Sequence, residues 1–256
     1  MKKLTIVKVG GAVLEDPDSF AEFLHRFHSI EGYKLLVHGG GRTATQIAGQ
    51  LGIETKMSDG RRITDRAMLE VVTMVYGGLI NKNCVAFLQS VGCNALGITG
   101  ADLDIIRAEK RCVTDIDFGW VGDITRVNGE TLQKLLLQDI VPVIAPLPHD
   151  GAGNLLNTNA DTIASAIASA LSASFKVTLI YCFEKDGVLS DPNDNNSVIP
   201  LLNRELYNKY KSENIIHSGM IPKLDNSFKA LESGVFEVWI TNQKMDRNIP
   251  GTKLTR

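Results

Sequence analysis

Leu4-Thr5-Ile6-Val7-Lys8-Val9-Gly10-Gly11 and Tyr33-Lys34-Leu35-Leu36-Val37-His38-Gly39-Gly40-Gly41 decide the fold class of this chain. Each is an apolar run short enough for a buried strand, followed at once by glycines and then by a helical pattern. Glycine there lets the backbone turn sharply and leaves N–H groups open to a close-approaching anion. Ligands of open α/β sheets sit outside the carboxyl ends of the strands, so both junctions are expected to face one crevice. Lys8 adds a fixed positive charge beside the first pair of glycines. Neither Gly-x-x-x-x-Gly-Lys-Ser/Thr nor Gly-x-Gly-x-x-Gly is present, so phosphate chemistry is expected by another route.

Outward from these junctions the chain keeps alternating. Asp16-Pro17-Asp18 opens a helix whose apolar Phe20, Phe23, Leu24 and Phe27 recur at helical spacing. The helix after the second glycine run ends near Leu51-Gly52, and a long helical stretch covers about 65–90. Gly77-Gly78 inside it calls for a close helix contact or a break, since each weakens a helix by ~1 kcal/mol relative to alanine. Strand 94–98 follows, then extended segments over 104–127, with a hairpin arm at Gly119–Val127. The second half reads as helix 129–138, strand Val141–Ala145, helix 159–171, strand Val177–Phe183, an Asn/Asp-rich loop over 191–197, a helix around Pro222–Leu231, a last strand 235–240 and a short tail. This pattern predicts an α/β fold: three layers, αβα, around one mostly parallel open sheet, with a boundary between two lobes near Ala173–Lys176.

With 256 residues, 44% hydrophobic and 22% charged, the chain can bury a full α/β core. Its 27 Lys and Arg against 29 Asp and Glu leave a net charge of −2, which gives no reason to expect a nucleic acid or an acidic membrane as partner. No apolar run approaches the ~18 residues of a membrane span, and the chain enters a strand without a signal-peptide pattern. The four cysteines are dispersed, without a Cys-x-x-Cys pair, as expected of reduced thiols in a cytoplasmic protein.

Several constellations carry two readings each. The paired glycines serve as packing residues or, taken together at consecutive strand ends, as an anion site; the second reading is favoured. His38 is expected to fix its loop by hydrogen bonding and receives no proton-transfer role. Asn157-Thr158-Asn159-Ala160-Asp161 caps a helix, yet it also sets three amide or acid groups beside the end of strand 141–145. Arg61-Arg62 is a solvated charge pair by default, or a fork that holds a carboxylate by two parallel hydrogen bonds. Lys223, early in the helix after Ser218-Gly219-Met220-Ile221-Pro222, lies on the surface unless that helix start faces the strand ends.

Lys8-x-Gly10-Gly11, His38-Gly39-Gly40-Gly41, Gly60-x-Arg62-x-Thr64, Asn157-x-Asn159-Ala160-Asp161 and Gly219-Met220-x-x-Lys223, in this order and spacing, resemble the amino-acid kinase family over the full length. The arm Gly119–Asn128 and the ending Gly251-Thr252-Lys253-Leu254 are similar to its acylglutamate branch, in which the arm covers the substrate. The resemblance implies an N-terminal lobe, 1–174, that binds an N-acylglutamate and forms a dimer contact, and a C-terminal lobe, 175–256, that binds ATP. The implied reaction moves the γ-phosphoryl group of ATP, bound with Mg²⁺, onto the substrate's γ-carboxylate for arginine synthesis. Lys8 and Lys223 match lysines that stabilise the transferring group, and Asp161 the acid that organises them. Gly40 and Gly41 match backbone donors near the reacting carboxylate, and Arg62 and Asn157 residues that hold the substrate. ATP is implied at Gly10, Gly11, Glu184, Lys185, Asp186, Gly187, Val188, Leu189, Ser218, Gly219 and Met220. Glu184 stands where aspartate is more usual, and His217-Ser218 where acidic or threonine-type residues are common. Acetyl is the family's acyl group; a larger one such as succinyl, or a sister enzyme of the same fold, is the alternative. The first strand starts near Leu4, leaving no room for the extra helix of arginine-inhibited relatives, so a homodimer with little or no arginine inhibition is expected.

Overall fold

The computed structural model describes residues 1–58, 61–113, 115–191, 193–216, 220–242, 244–245 and 251–256. In it β1 (Lys2–Val9) leads to α1 (Gly11–Glu15) and α2 (Pro17–His28), and β2 (Tyr33–His38) to α3 (Gly41–Gln50). A small antiparallel pair, β3 (Lys56–Ser58) and β4 (Arg61–Ile63), precedes a long helix made of α4 (Arg66–Val72), the π-helical stretch Thr73–Ile80 and α5 (Asn81–Ser90). Next come β5 (Ala95–Ile98), the arm β6 (Ile106–Lys110) with β7 (Gly122–Val127), α6 (Gly129–Leu137) and β8 (Val141–Ile144). The chain continues through α7 (Ala160–Leu171), β9 (Phe175–Phe183), β10 (Leu201–Leu202), α8 (Arg204–Ser212), α9 (Ile221–Glu232), β11 (Glu237–Asn242) and β12 (Thr252–Leu254).

The central sheet has eight strands in the order β10-β12-β11-β9-β1-β2-β8-β5. From β11 to β5 neighbouring strands are parallel; β12 runs antiparallel to β11 and carries β10 with it. The period-2 alternation of the strands explains the layers. Leu4, Ile6, Leu35 and Val37 face one core with Leu132 and Leu136 of α6, Ile163 and Ile167 of α7, and Leu224 and Phe228 of α9. Val7, Val9 and Leu36 face the other, against Phe23, Leu24 and Phe27 of α2, Ala44 and Ala48 of α3 and the long helix. Helices on both faces of a mostly parallel sheet form the expected α/β sandwich.

The long helix departs from expectation in an instructive way. Gly77-Gly78 neither break it nor mark an unusually close crossing; the helix widens into a π turn over Thr73–Ile80. A Cβ on Gly77 would meet Leu147 and Thr99 at ordinary contact distances of 3.5 and 3.6 Å. Arg66–Ser90 is also long and apolar enough, by length and composition, to cross a membrane, although the sequence reading found no such run. Its buried Met68, Leu69, Val71, Val72, Val75, Tyr76, Ile80, Cys84 and Leu88 account for much of that character as protein core. Helix α8 and strand β12 are among the elements with no counterpart in the sequence pattern, as are the short strands β3, β4 and β10. Helix α8 is mostly polar and buries Tyr207, with Asn203 accepting at its start from Leu206 N at 2.8 Å. The tail returns to the sheet as β12, where fully buried Thr252 accepts a hydrogen bond from Val188 N at 2.8 Å.

Candidate active site

Chain order reverses between β1 and β9, its neighbour on the side away from β2. A reversal of this kind opens a crevice at the carboxyl ends of the two strands. Lys8 lies one residue from the end of β1, in register with Tyr181. Its Nζ is 2.8 Å from Asp161 Oδ1, and both side chains are buried. Asp161 occupies the first turn of α7, whose start is capped by Asn159 Oδ1 accepting from Asp161 N at 2.7 Å. Lys223, in the first turn of α9, is partly buried, with its Nζ 3.8 Å from the centroid of the Phe183 ring at the end of β9. Burial lowers the Lys223 pKa and Lys8 pushes the same way, while Asp161 and Glu184 oppose them. The structure thus brings Lys8, Asp161 and Lys223 together, and the start of α9 does face the strand ends. A Cβ on Gly10 would stand 3.8 Å from Lys8 Nζ, and Gly11 opens α1 beside it.

A second wall is built around the other glycines. Gly40 has φ of 154° and ψ of 14°, and a Cβ there would clash with Ile80 and press on the Tyr76 ring at 3.0 Å. A side chain is therefore excluded on both conformational and steric grounds. His38 is fully buried: Nδ1–H donates to Gly39 O at 2.9 Å, and Nε2 accepts from Asn81 Nδ2 at 3.1 Å. Burial pushes its pKa down to about 4, so the ring is neutral and holds the loop, as its sequence position suggests. Arg62 Nη2 donates to Gly41 O and to Thr45 Oγ1, each at 2.8 Å, and Nη1 reaches Thr55 Oγ1 at 3.2 Å and Met68 Sδ at 3.8 Å. Both terminal nitrogens are thus engaged by the protein. Asn157 is buried and donates from Nδ2 to Thr64 Oγ1 at 3.0 Å. The arm joins the same wall, because Trp120 N donates to Thr64 O, Asn157 N to Trp120 O and Gly122 N to Asn157 O.

The loop after β9 divides its residues between surface and interior. Glu184 accepts from Arg42 Nη2 at 2.8 Å, and Lys185 Nζ donates to Asn195 Oδ1 at 2.6 Å, both at the surface. Asp186 accepts from Asn242 Nδ2 at 2.6 Å. Gly187 is packed against Thr252 and Val198, Val188 is buried in the core, and Leu189 pairs with Val198. Met220 precedes α9 and packs on the core. Gly60, His217, Ser218 and Gly219 lie outside the described residues.

Residues 3–242 match the family model described as the amino acid kinase family. The chain belongs to the amino acid kinase family. It is 56% identical over 255 residues to an acetylglutamate kinase of Bacteroides fragilis, covering 100% of this chain and 98% of that protein. Over 240 residues it is 59% identical to an acetylglutamate kinase of Phocaeicola vulgatus, covering 94% and 93% of the two. A crystal structure from Streptococcus mutans superposes with a TM-score of 0.82 at 25% identity, covering 98% of both chains.

In this member of the amino acid kinase family, four residues near the crevice escaped the sequence reading: Arg42, Thr64, Asn81 and Phe183. Thr64 belongs to the Gly60-x-Arg62-x-Thr64 motif, which gives it no role of its own. Arg42 follows the triple glycine directly, and Phe183 precedes Glu184, so adjacency to named residues was their only signal. Asn81 is 43 residues from His38, and nothing local in the sequence pairs them.

Proposed function

We propose that this chain is an acetylglutamate kinase, transferring the γ-phosphoryl group of ATP to the γ-carboxylate of N-acetyl-L-glutamate in arginine biosynthesis. The observation that carries this reading is the meeting of Lys8, Asp161 and Lys223 at the reversal of the sheet, in a chain 56% identical over its whole length to an acetylglutamate kinase. A side-chain carboxylate with pKa ≈ 4.3 is already an ionised nucleophile at neutral pH, so the reaction needs no general base. What it needs is relief of repulsion between that carboxylate and the γ-phosphate, and fixed charge to meet the oxygens of an in-line transition state.

Lys8 and Lys223 supply that charge; Asp161 aims Lys8 through its ion pair, and its negative charge favours the charged form of Lys223. Gly40 and Gly41 present backbone N–H groups at the start of α3, where helical donors have no partner within the helix. Arg62 and Asn157 hold the amino-acid end of the substrate; the Arg62 guanidinium contributes its charge from a position braced by Gly41 O and Thr45. Gly10, Gly11 and the loops at 184–189 and 218–220 receive ATP in this reading, with residues 1–174 as the acceptor lobe and 175–256 as the nucleotide lobe. Among the described residues no group of three or more His, Cys, Asp or Glu is placed to hold a metal ion. In this reading Mg²⁺ arrives as part of the nucleotide substrate, held through phosphate oxygens. The protein works as a cytoplasmic homodimer through the outer face of the long helix, where Met74 and Leu79 are exposed.

Trapping the product tests the reading. Phosphoryl transfer to a carboxylate yields a mixed anhydride, which hydroxylamine converts to a hydroxamate, whereas phosphorylated hydroxyls and phosphates are inert to it. ATP-dependent hydroxamate from N-acetyl-L-glutamate, in excess over that from N-succinyl-L-glutamate, is the expected result. No hydroxamate from either substrate would overturn it.

A further inference from the structure

We infer that Phe183 is a positioning residue for phosphoryl transfer, one aromatic ring that holds both the Lys8 and the Lys223 ammonium groups. This rests on the reading of those two lysines given above. Lys8 Nζ lies 5.0 Å from the Phe183 ring centroid and Lys223 Nζ 3.8 Å from it. Both distances fall within the ~6 Å over which a ring quadrupole attracts a cation, and the site is partly desolvated.

The ring is held by the strand that carries it. Phe183 and Tyr181 are two residues apart on β9, hence on one face of the sheet, and their rings stack at 6.2 Å with an interplanar angle of 11°. Tyr181 is fully buried, and its hydroxyl donates to Asp161 O at 3.2 Å. Lys8 is in register with Tyr181, so its side chain reaches Phe183 by running one pleat toward the strand ends. The chain Phe183–Tyr181–Asp161 therefore ties the ring plane to the same helix turn that supplies the carboxylate.

Charge explains why an aromatic ring suits this place. Glu184, the other carboxylate that acts on Lys223, is ion-paired with Arg42, so two ammonium groups and Asp161 leave one net positive charge facing the incoming phosphoryl group. A second carboxylate under Lys223 would hold it as well, but would cancel that charge and repel the phosphate. The ring attracts both cations without adding an anion, and leaves their remaining N–H bonds for phosphate oxygens.

Replacing Phe183 by mono-, di- and trifluorophenylalanine tests this, because the quadrupole weakens stepwise while ring shape barely changes and folding is preserved. The expected result is a monotonic fall in kcat, about tenfold at the trifluoro ring, with KM for the acylglutamate unchanged within twofold. In the free enzyme, the Lys223 methylene protons next to Nζ should show an upfield ring-current shift that Phe183→Leu abolishes and Phe183→Tyr retains. Unchanged kcat across the fluorinated series, or absence of the ring-current shift, overturns the proposal. Lys8→Ala and Lys223→Ala, measured alongside, separate the two readings. If they leave kcat intact, the role of the lysines is wrong; if they abolish it while fluorination does nothing, only the role of Phe183 is.

Discussion

Lys8 Nζ and Asp161 Oδ1 form an ion pair at 2.8 Å whose two side chains are only 8% and 7% exposed. A buried pair gains little over apolar residues of similar size, but removing one partner strands a charge and typically costs about 3–5 kcal/mol. Lys8→Met and Asp161→Leu should each lower the urea midpoint clearly, and the double variant should recover part of that loss. Activity should not recover with it: kcat is expected to fall by ~10²–10³ or more in either single variant and in the double, with a smaller change in KM. Urea titration and steady-state kinetics on the same four proteins check both halves. A double variant with near-normal kcat would falsify the catalytic role of the pair.

Arg62 is expected to act mainly in binding. Its guanidinium is braced by Gly41 O, Thr45 and Thr55, so it presents a fixed charge at the glycine wall. Binding common to ground and transition states appears in KM and not in kcat. Arg62→Ala should raise KM for N-acetylglutamate at least tenfold, leave KM for ATP nearly unchanged and reduce kcat less than Lys8→Ala does. Arg62→Lys should recover part of the loss, since it keeps the charge but not the planar fork. A large effect on the KM for ATP would place Arg62 at the nucleotide instead.

His38 links loop geometry to pH. Its native pKa is depressed by burial to about 4, against an ordinary value of 6.5. Between these values the unfolded chain binds the proton and the native one does not, so protons favour unfolding. The contribution of neutral His38 is therefore intact above about pH 6.5 and is lost as pH falls toward 4. His38→Gln keeps one donor and one acceptor without titrating. Thermal unfolding from pH 7.5 to 4.5 should show Tm falling more steeply in the parent protein than in His38→Gln. Parallel curves would mean that the ring binds its proton equally well in the native and unfolded states, and that burial does not depress its pKa.

Much of this fold and site was legible because it is local. Lys8, Gly10, Gly40 and Gly41 sit at strand ends, where an apolar run followed by glycine has few structural meanings. Asn159 and Asp161 sit at a helix start, where capping demands such side chains. What stayed hidden depends on contacts distant in the sequence. Asn81 acquires its role from His38, 43 residues away, and Arg42 is tied to Glu184, 142 residues away. Phe183 reads as one more apolar residue ending a strand until Lys8 and Lys223 arrive over its ring. Helix α8 is hidden for a different reason: it buries one large side chain, Tyr207, so its apolar periodicity is faint. The strand β12 was hidden by its shortness, and its Thr252 matters through a hydrogen bond to Val188, 64 residues away.

The outer face of the long helix bears on assembly. The most apolar 18-residue window of Arg66–Ser90 has a mean hydropathy of 1.3, yet only 44% of it is buried within one chain. Met74 and Leu79 stand 55% and 47% exposed on it. A two-fold axis beside this helix would set each patch against its own copy, so any change there acts twice. Light scattering of the parent protein should give the mass of two chains. Met74→Lys with Leu79→Lys should give the mass of one, because four buried ammonium groups would then face each other across the axis. Neither residue belongs to the catalytic or substrate-holding groups, so loss of activity is not part of the expectation. A parent protein with the mass of one chain, or a double variant that keeps the mass of two, would remove this face as the subunit contact.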